Sequence, residues 1–263
     1  MTRDPRPGSE SAVSESIGFV FLTSITLVGF AIIYMVGVPA YNSYVEDGHM
    51  ANIAQSFSIV AYNGNTVAMY KSPVSSSELK MYGGTLATRS SGFMNVSYYS
   101  DAGGTNLIGY NNTSLTMLEY SKGQDRVAYV DGSVCRYYPA GASMMNEPEM
   151  FGSPGSLDIM SIAVYDGNVS IAGYGLARIS FQTPYYSKMS QTVSLPVASS
   201  FSDVRKVVVI LNGDYASAFG QYFRDSYGFS QSTDADGDLI LSQSYPSGIR
   251  LQITQLYLMI DAN

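Results

Sequence analysis

The chain has 263 residues, room for one membrane anchor and a body of about 190 residues, or two small ones. Asp and Glu number 21 against 14 Lys and Arg, and setting residues 1–16 aside still leaves 18 acidic and 12 basic side chains. That balance argues against nucleic acid as a partner, because affinity for it comes chiefly from Lys and Arg on phosphates. A single cysteine, Cys135, rules out an internal disulfide.

Residues 1–16 are polar and rich in Pro, Gly and Ser, which predicts an unstructured leader. From Ile17 to Val45 there is no Asp, Glu, Lys, Arg or His. The apolar heart, Ile17–Val38, is 22 residues long. At about 1.5 Å per residue a helix of that length reaches roughly 33 Å, enough to cross the hydrocarbon of a bilayer. A cleaved secretory signal is the competing reading, with Val38-Pro39-Ala40 as its cut site. Its apolar core is ordinarily about 7–15 residues, shorter than this run, so a retained span with its N-terminus inside is the expectation.

Beyond the span, Ile53, Phe57, Val60 and Ala61 recur at a 3–4 spacing, as one face of an amphipathic helix does. Pro39 predicts a kink within this long helix. Asn63-Gly64-Asn65 and Lys71-Ser72-Pro73 predict its end.

After Pro73 short alternating runs separated by turn residues predict an antiparallel β body. The expected strands are Phe93–Tyr99, Thr116–Tyr120, Arg126–Val130, Ser133–Tyr138, Ile159–Tyr165, Val169–Ala172, Ala177–Phe181, Val204–Leu211, Asp238–Ser244 and Ile249–Ile260. Asp131-Gly132 is a two-residue hairpin signal, and Asp166-Gly167-Asn168 marks a second turn. One inserted helix is expected over Tyr215–Tyr227, capped by Asp214. The fold class is thus α+β: a long N-terminal transmembrane and amphipathic helix, then a mainly antiparallel β ectodomain with one inserted helix. The expected divisions are a leader over 1–12, a helical stem over 13–72 and a β-rich extracellular body over 73–263.

Chemical sites are sparse. His49 is the only histidine, and Glu46 and Asp47 are its nearest acidic neighbours in sequence; a zinc site has no second histidine to draw on. Cys135 falls in an expected strand and reads as a small buried hydrophobe. No Gly-x-Ser-x-Gly elbow is present, and nothing assembles a nucleophile, base and orienting group, so no enzyme activity is expected. Asp234, Asp236 and Asp238 alternate like the first half of a calcium loop, with Leu239 at the sixth position and Tyr245 at the twelfth; a plain turn is the alternative. Asn95, Asn111, Asn112 and Asn168 head Asn-x-Ser/Thr sequons, the pair at 111 and 112 in an expected loop. The pairs Tyr98-Tyr99, Tyr137-Tyr138 and Tyr185-Tyr186 read as strand residues with one ring on each face, or as platforms for sugars and partners.

The segment Ala12-Val13-Ser14-Glu15-Ser16-Ile17-Gly18 resembles the Ala-Val-Ser-Pro-x-Ile-Gly opening of haloarchaeal and methanogen type IV pilins and pilin-like surface proteins. Glu15 stands where those proteins carry Pro, and no Lys or Arg immediately precedes Ala12. Tyr129-Val130-Asp131-Gly132-Ser133-Val134 and the run Val207–Leu211 leading to Asp214–Phe223 are similar to one archaeal pilin-like family, with Phe219 in place of a usual Trp. The resemblance implies a prepilin peptidase cutting between Ala12 and Val13 on the cytoplasmic side. It also implies a membrane-inserted cell-surface structural or adhesion protein that associates with itself or other pilin-like subunits; glycans are expected from the sequons, and calcium, from the aspartate spacing, is the one candidate cofactor. Gly18, Thr23, Ser24, Thr26, Gly29 and Gly37 would let such helices approach closely.

Overall fold

The computed structural model describes residues 9–69, 71–139, 141–166, 169–183 and 197–263. They form two compact units, Met1–Ala51 and Asn52–Asn263. The first carries α1 (Ser9–Ile32), a π-helical turn over Ile33–Gly37, and the start of α2 (Val38–Ala68). The described residues are helical from Ser9 on, within the stretch expected to be unstructured. The irregularity expected at Pro39 lies just ahead of it. The Val38 N–H donates to the Ile33 carbonyl, five residues back, so the chain widens there and continues as helix without the N–H that Pro39 lacks.

In the second unit, the C-terminal half of α2 buries Ile53, Ala54, Phe57, Val60, Ala61 and Val67, the face that the 3–4 spacing marked. Burying a side chain the size of Phe57 is worth about 1.5–3 kcal/mol. Polar residues of this segment find partners in the sheet. Asn65 Nδ2 donates to the Gly132 carbonyl at 2.9 Å, Tyr129 Oη donates to Asn65 Oδ1 at 2.9 Å, and Asn63 Nδ2 donates to Ser77 Oγ at 2.7 Å.

The strands follow in chain order: β1 (Val74–Lys80), β2 (Thr85–Tyr99), β3 (Leu107–Lys122), β4 (Asp125–Val130), β5 (Ser133–Tyr138) and β6 (Gly141–Asn146). Then come β7 (Phe151–Ser153), β8 (Ser156–Asp166), β9 (Ser170–Ala172), β10 (Leu176–Gln182) and β11 (Val197–Asn212). After α3 (Ala216–Tyr227) the chain closes with β12 (Ser230–Thr233) and β13 (Leu239–Ala262). Among the described residues the sheet order is β1-β10-β13-β11-β2-β3-β4-β5-β6, with β12 and β8 also on β13, β7 on β8 and β9 on β2. All pairings are antiparallel except β13 with β8. The two strands expected over Asp238–Ser244 and Ile249–Ile260 are one: β13 runs through the gap, where Gly248 (φ 72°) lies against Asp203 (φ 57°) at the irregular register of β11. The short runs β1, β6, β7 and β12 escape sequence reading because they are small, polar or only a few residues long.

Two faces of this sheet are buried. Met94, Val96, Met117, Ala128, Val130, Val209 and Leu241 pack with Ala218, Phe219, Tyr222 and Phe223 of α3 in one core. Their alternates Leu118, Tyr120, Val127 and Tyr129 are buried on the other side, where Tyr129 meets Asn65 and Gly64 of α2. Asp214 does not cap α3; Tyr215 holds that position with no side-chain cap, because Asp214 is drawn 2.5 Å from Arg126.

Asp131 and Gly132 (φ 50° and 79°) make the expected tight turn between β4 and β5. Asp131 is buried, and its Oδ1 accepts from Ser161 Oγ at 2.8 Å and the Ile162 N–H at 2.7 Å, while Oδ2 has no hydrogen-bond partner. Burial pushes its carboxyl up from 3.8 to about 6, against those two hydrogen bonds. The unfolded chain releases this proton first, so the folded state is favoured most below about pH 4 and loses that advantage as pH rises through 6. Denaturant titrations at pH 4, 5, 6 and 7 are expected to show the wild type losing on the order of 1–3 kcal/mol more than Asp131→Asn over that window; parallel curves would sink the assignment. A Cβ at Gly64 would lie 3.0 Å from Tyr129 Oη and 3.4 Å from Leu258 Cδ2. Gly64→Leu is therefore expected to destabilise the second unit by about 1–3 kcal/mol in thermal or urea melts.

Candidate functional site: an exposed apolar helix

The helical segment from Ile17 onward turns apolar chemistry outward. Phe19 is 72%, Leu22 68%, Ile25 70%, Phe30 66% and Met35 76% exposed. Ile17–Ala68 contains a window long and apolar enough to cross a membrane, with none of that window buried. Leaving side chains like these in water costs what burying them would gain, about 1.5–3 kcal/mol each. A run of them on a helix free of ionised groups is suited to hydrocarbon.

Three hydroxyls on this helix are satisfied by its own backbone. Thr23 Oγ1 donates to the Phe19 carbonyl at 2.8 Å, Ser24 Oγ to Val20 at 2.7 Å and Thr26 Oγ1 to Leu22 at 2.7 Å. These hydroxyls therefore enter lipid without a partner helix. A Cβ on Gly18 or Gly29 would meet nothing within 4 Å, and one on Gly37 only Ile33 Cγ2 at 3.8 Å. The chain's own packing thus makes no use of their small size.

The second unit carries an ionic cluster around the buried Glu119 that ties the start of α3 to the sheet. Glu119, 1% exposed, accepts from Arg89 Nη1 at 2.8 Å and from Tyr215 Oη at 3.0 Å, with Arg126 Nη1 at 3.6 Å. The Arg126 guanidinium lies 3.7 Å from the Tyr137 ring centroid and reaches Asp214 as well. Burial first, then the Glu119 charge, raise the Tyr215 hydroxyl far above its ordinary value, which suits a donor that never ionises. Sequence reading missed this cluster; the available signal is a Glu inside the apolar run Leu118–Tyr120.

The amino-acid sequence matches a family model along nearly its whole length: the family described as "Family of unknown function (DUF7289)" aligns with residues 12–259. The chain belongs to that family. No curated protein and no solved structure matches it.

In this DUF7289 chain the remaining candidate residues separate clearly. Ala12 and Val13 lie within α1. Asp234, Asp236 and Asp238 do not converge as ligands: Asp234 Oδ1 accepts from the Asp236 N–H at 3.0 Å and the Asp238 N–H at 2.8 Å, while Asp238 accepts from Asn212. This is the turn that the spacing also allowed, and among the described residues no group of three His, Cys, Asp or Glu could hold a metal. His49 is on α2. Cys135 is buried, its thiol pushed up to about 12 by burial, as a structural cysteine. Asn95 is in β2; Asn111 and Asn112 are in β3 rather than in a loop, because the β2–β3 hairpin extends well beyond its apolar part. Asn168, Tyr185 and Tyr186 lie outside the described residues. Tyr98 is buried beside half-buried Tyr99, and Tyr137 is half-buried beside exposed Tyr138, so each pair divides between two faces.

A charge in the middle of the apolar helix tests its solvent directly. Leu27→Lys is expected to cost about 2.5–3.5 kcal/mol of insertion and to move the full-length chain from the membrane pellet toward the soluble or aggregated fraction. An unchanged pellet fraction in carbonate-washed membranes would show that the helix is not held by lipid.

Proposed function

We propose that this chain is a type IV pilin-like cell-surface protein, inserted through its N-terminal helix and carrying its β unit outside the cell. The single observation that carries the reading is the exposed, charge-free helix of Ile17–Val38 following directly on Ala12-Val13-Ser14-Glu15-Ser16-Ile17-Gly18. A prepilin peptidase would cut between Ala12 and Val13, inside the first turns of α1, and leave the apolar span Ile17–Val38 whole. In a filament the same apolar side chains would pack against other stems, and the unfilled space beside Gly18 and Gly29 favours close approach. The β unit then serves adhesion or display rather than catalysis.

A second reading has its own support. Because Thr23, Ser24 and Thr26 already bond their own helix, a single copy is stable in lipid, as in a monomeric membrane-anchored binding domain. Mass spectrometry of the mature N-terminus, with chemical crosslinking in intact membranes, separates the two. A chain beginning at Val13 and crosslinked through its stems is the expected result. An intact Met1 with monomers alone would overturn the pilin-like reading in favour of the anchor, and a start at Tyr41 would overturn both.

A further inference from the structure

We propose that Asn112 is the one sequon among Asn95, Asn111 and Asn112 that carries a glycan, which lies over the half-buried apolar side chains of its own face of the sheet. This rests on the outward placement of the β unit proposed above. The three sequons look equivalent in sequence and differ sharply in the fold. Asn112 and its sequon hydroxyl Ser114 are both exposed on the same side of β3, next to Tyr110, which is 66% exposed. A transferase can therefore reach the amide and the hydroxyl together. Asn111 points with Thr113 to the opposite side, where Thr113 is 3% exposed and donates its hydroxyl to Asn111 Oδ1 at 3.2 Å. Its hydroxyl is closed inside the fold. Asn95 is half-buried in β2, accepts from Ser97 Oγ at 3.0 Å, and is flanked by Asn112 on β3 and Ile210 on β11. Its amide lies in the middle of a sheet, directly across from Asn112.

The surface around Asn112 suits a neutral, hydroxyl-rich cover. Phe93, Val208, Ile210 and Ile240 are half-buried there, on the alternate residues to the core beneath α3, with Asn and Ser between them; the charges on this face stand toward its ends, Asp238 bonded to Asn212 and Lys206 beside Tyr99. In the modification the Asn112 Nδ2 forms a bond to the anomeric carbon of a glycosyl phosphate donor on a lipid carrier. The anomeric carbon–oxygen bond breaks, the carrier phosphate leaves with its electron pair, and the amide proton passes to a base of the transferase.

The test uses full-length protein from membranes of its own host, by intact mass and peptide mapping. The wild type is expected to carry a glycan mass on the peptide holding Asn112. That mass should persist in Asn95→Gln and Asn111→Gln and vanish in Asn112→Gln and Ser114→Ala. Protease digestion of intact cells runs alongside. A bare chain whose β unit is shaved from intact cells overturns this inference alone, as does a glycan that survives Asn112→Gln. A β unit digested only after lysis overturns the outward placement and this inference with it.

Discussion

The main chain of β13 is the constraint on which the second unit depends. Its first residues bond β11 on one side and β12 on the other, its middle bonds β11 and β8, and its end bonds β10. Apart from β12, its hairpin neighbour, those strands come from earlier parts of the chain, so β13, the last strand, joins β8, β10 and β11 in one sheet. Because buried backbone groups must be paired, no neighbour can shift its register without leaving N–H and C=O groups unmet. The inward side chains change phase along the way, from Ile249, Leu251 and Ile253 to Leu256, Leu258 and Ile260. The first set belongs to the core beneath α3. In the second, Leu258 lies against Gly64 of α2.

That change of phase explains why β3 and β4 look unlike surface strands. Leu118, Glu119 and Tyr120 are consecutive and all buried, as are Val127, Ala128, Tyr129 and Val130. A strand with apolar material on both faces loses the alternation that a half-exposed strand shows. Its polar members survive only with partners: Glu119 with Arg89, Arg126 and Tyr215, and Asp131 with Ser161 and the Ile162 N–H. Asp131 is the less complete of the two, since one oxygen is unmatched, and burial pushes its carboxyl toward neutrality.

The two units solve opposite problems with similar residues. In the second, Phe57, Phe219 and Phe223 are hidden in cores. In the first, Phe19, Phe21 and Phe30 stand exposed. What separates them in the sequence is the spacing of polar residues. Around Phe57 they mark one face of a helix; between Ile17 and Val45 there is no charge to mark any face, so the helix is apolar all round.

Local chemistry was therefore legible from residues alone. The charge-free helix, the buried face of α2, the Asp131-Gly132 turn and β5 over Ser133–Tyr138 each follow from a period or a turn preference acting within a few residues. Tertiary structure decided what depends on distant neighbours. It took Asp214 from a helix cap to Arg126, joined two expected strands into β13, made Asp234 a turn acceptor, and sorted Asn111 from Asn112 by the face each occupies. The physical reason is the same throughout. Periodicity and turn preference are set by bonded geometry, whereas burial and pairing are set by whichever strand the sheet brings alongside.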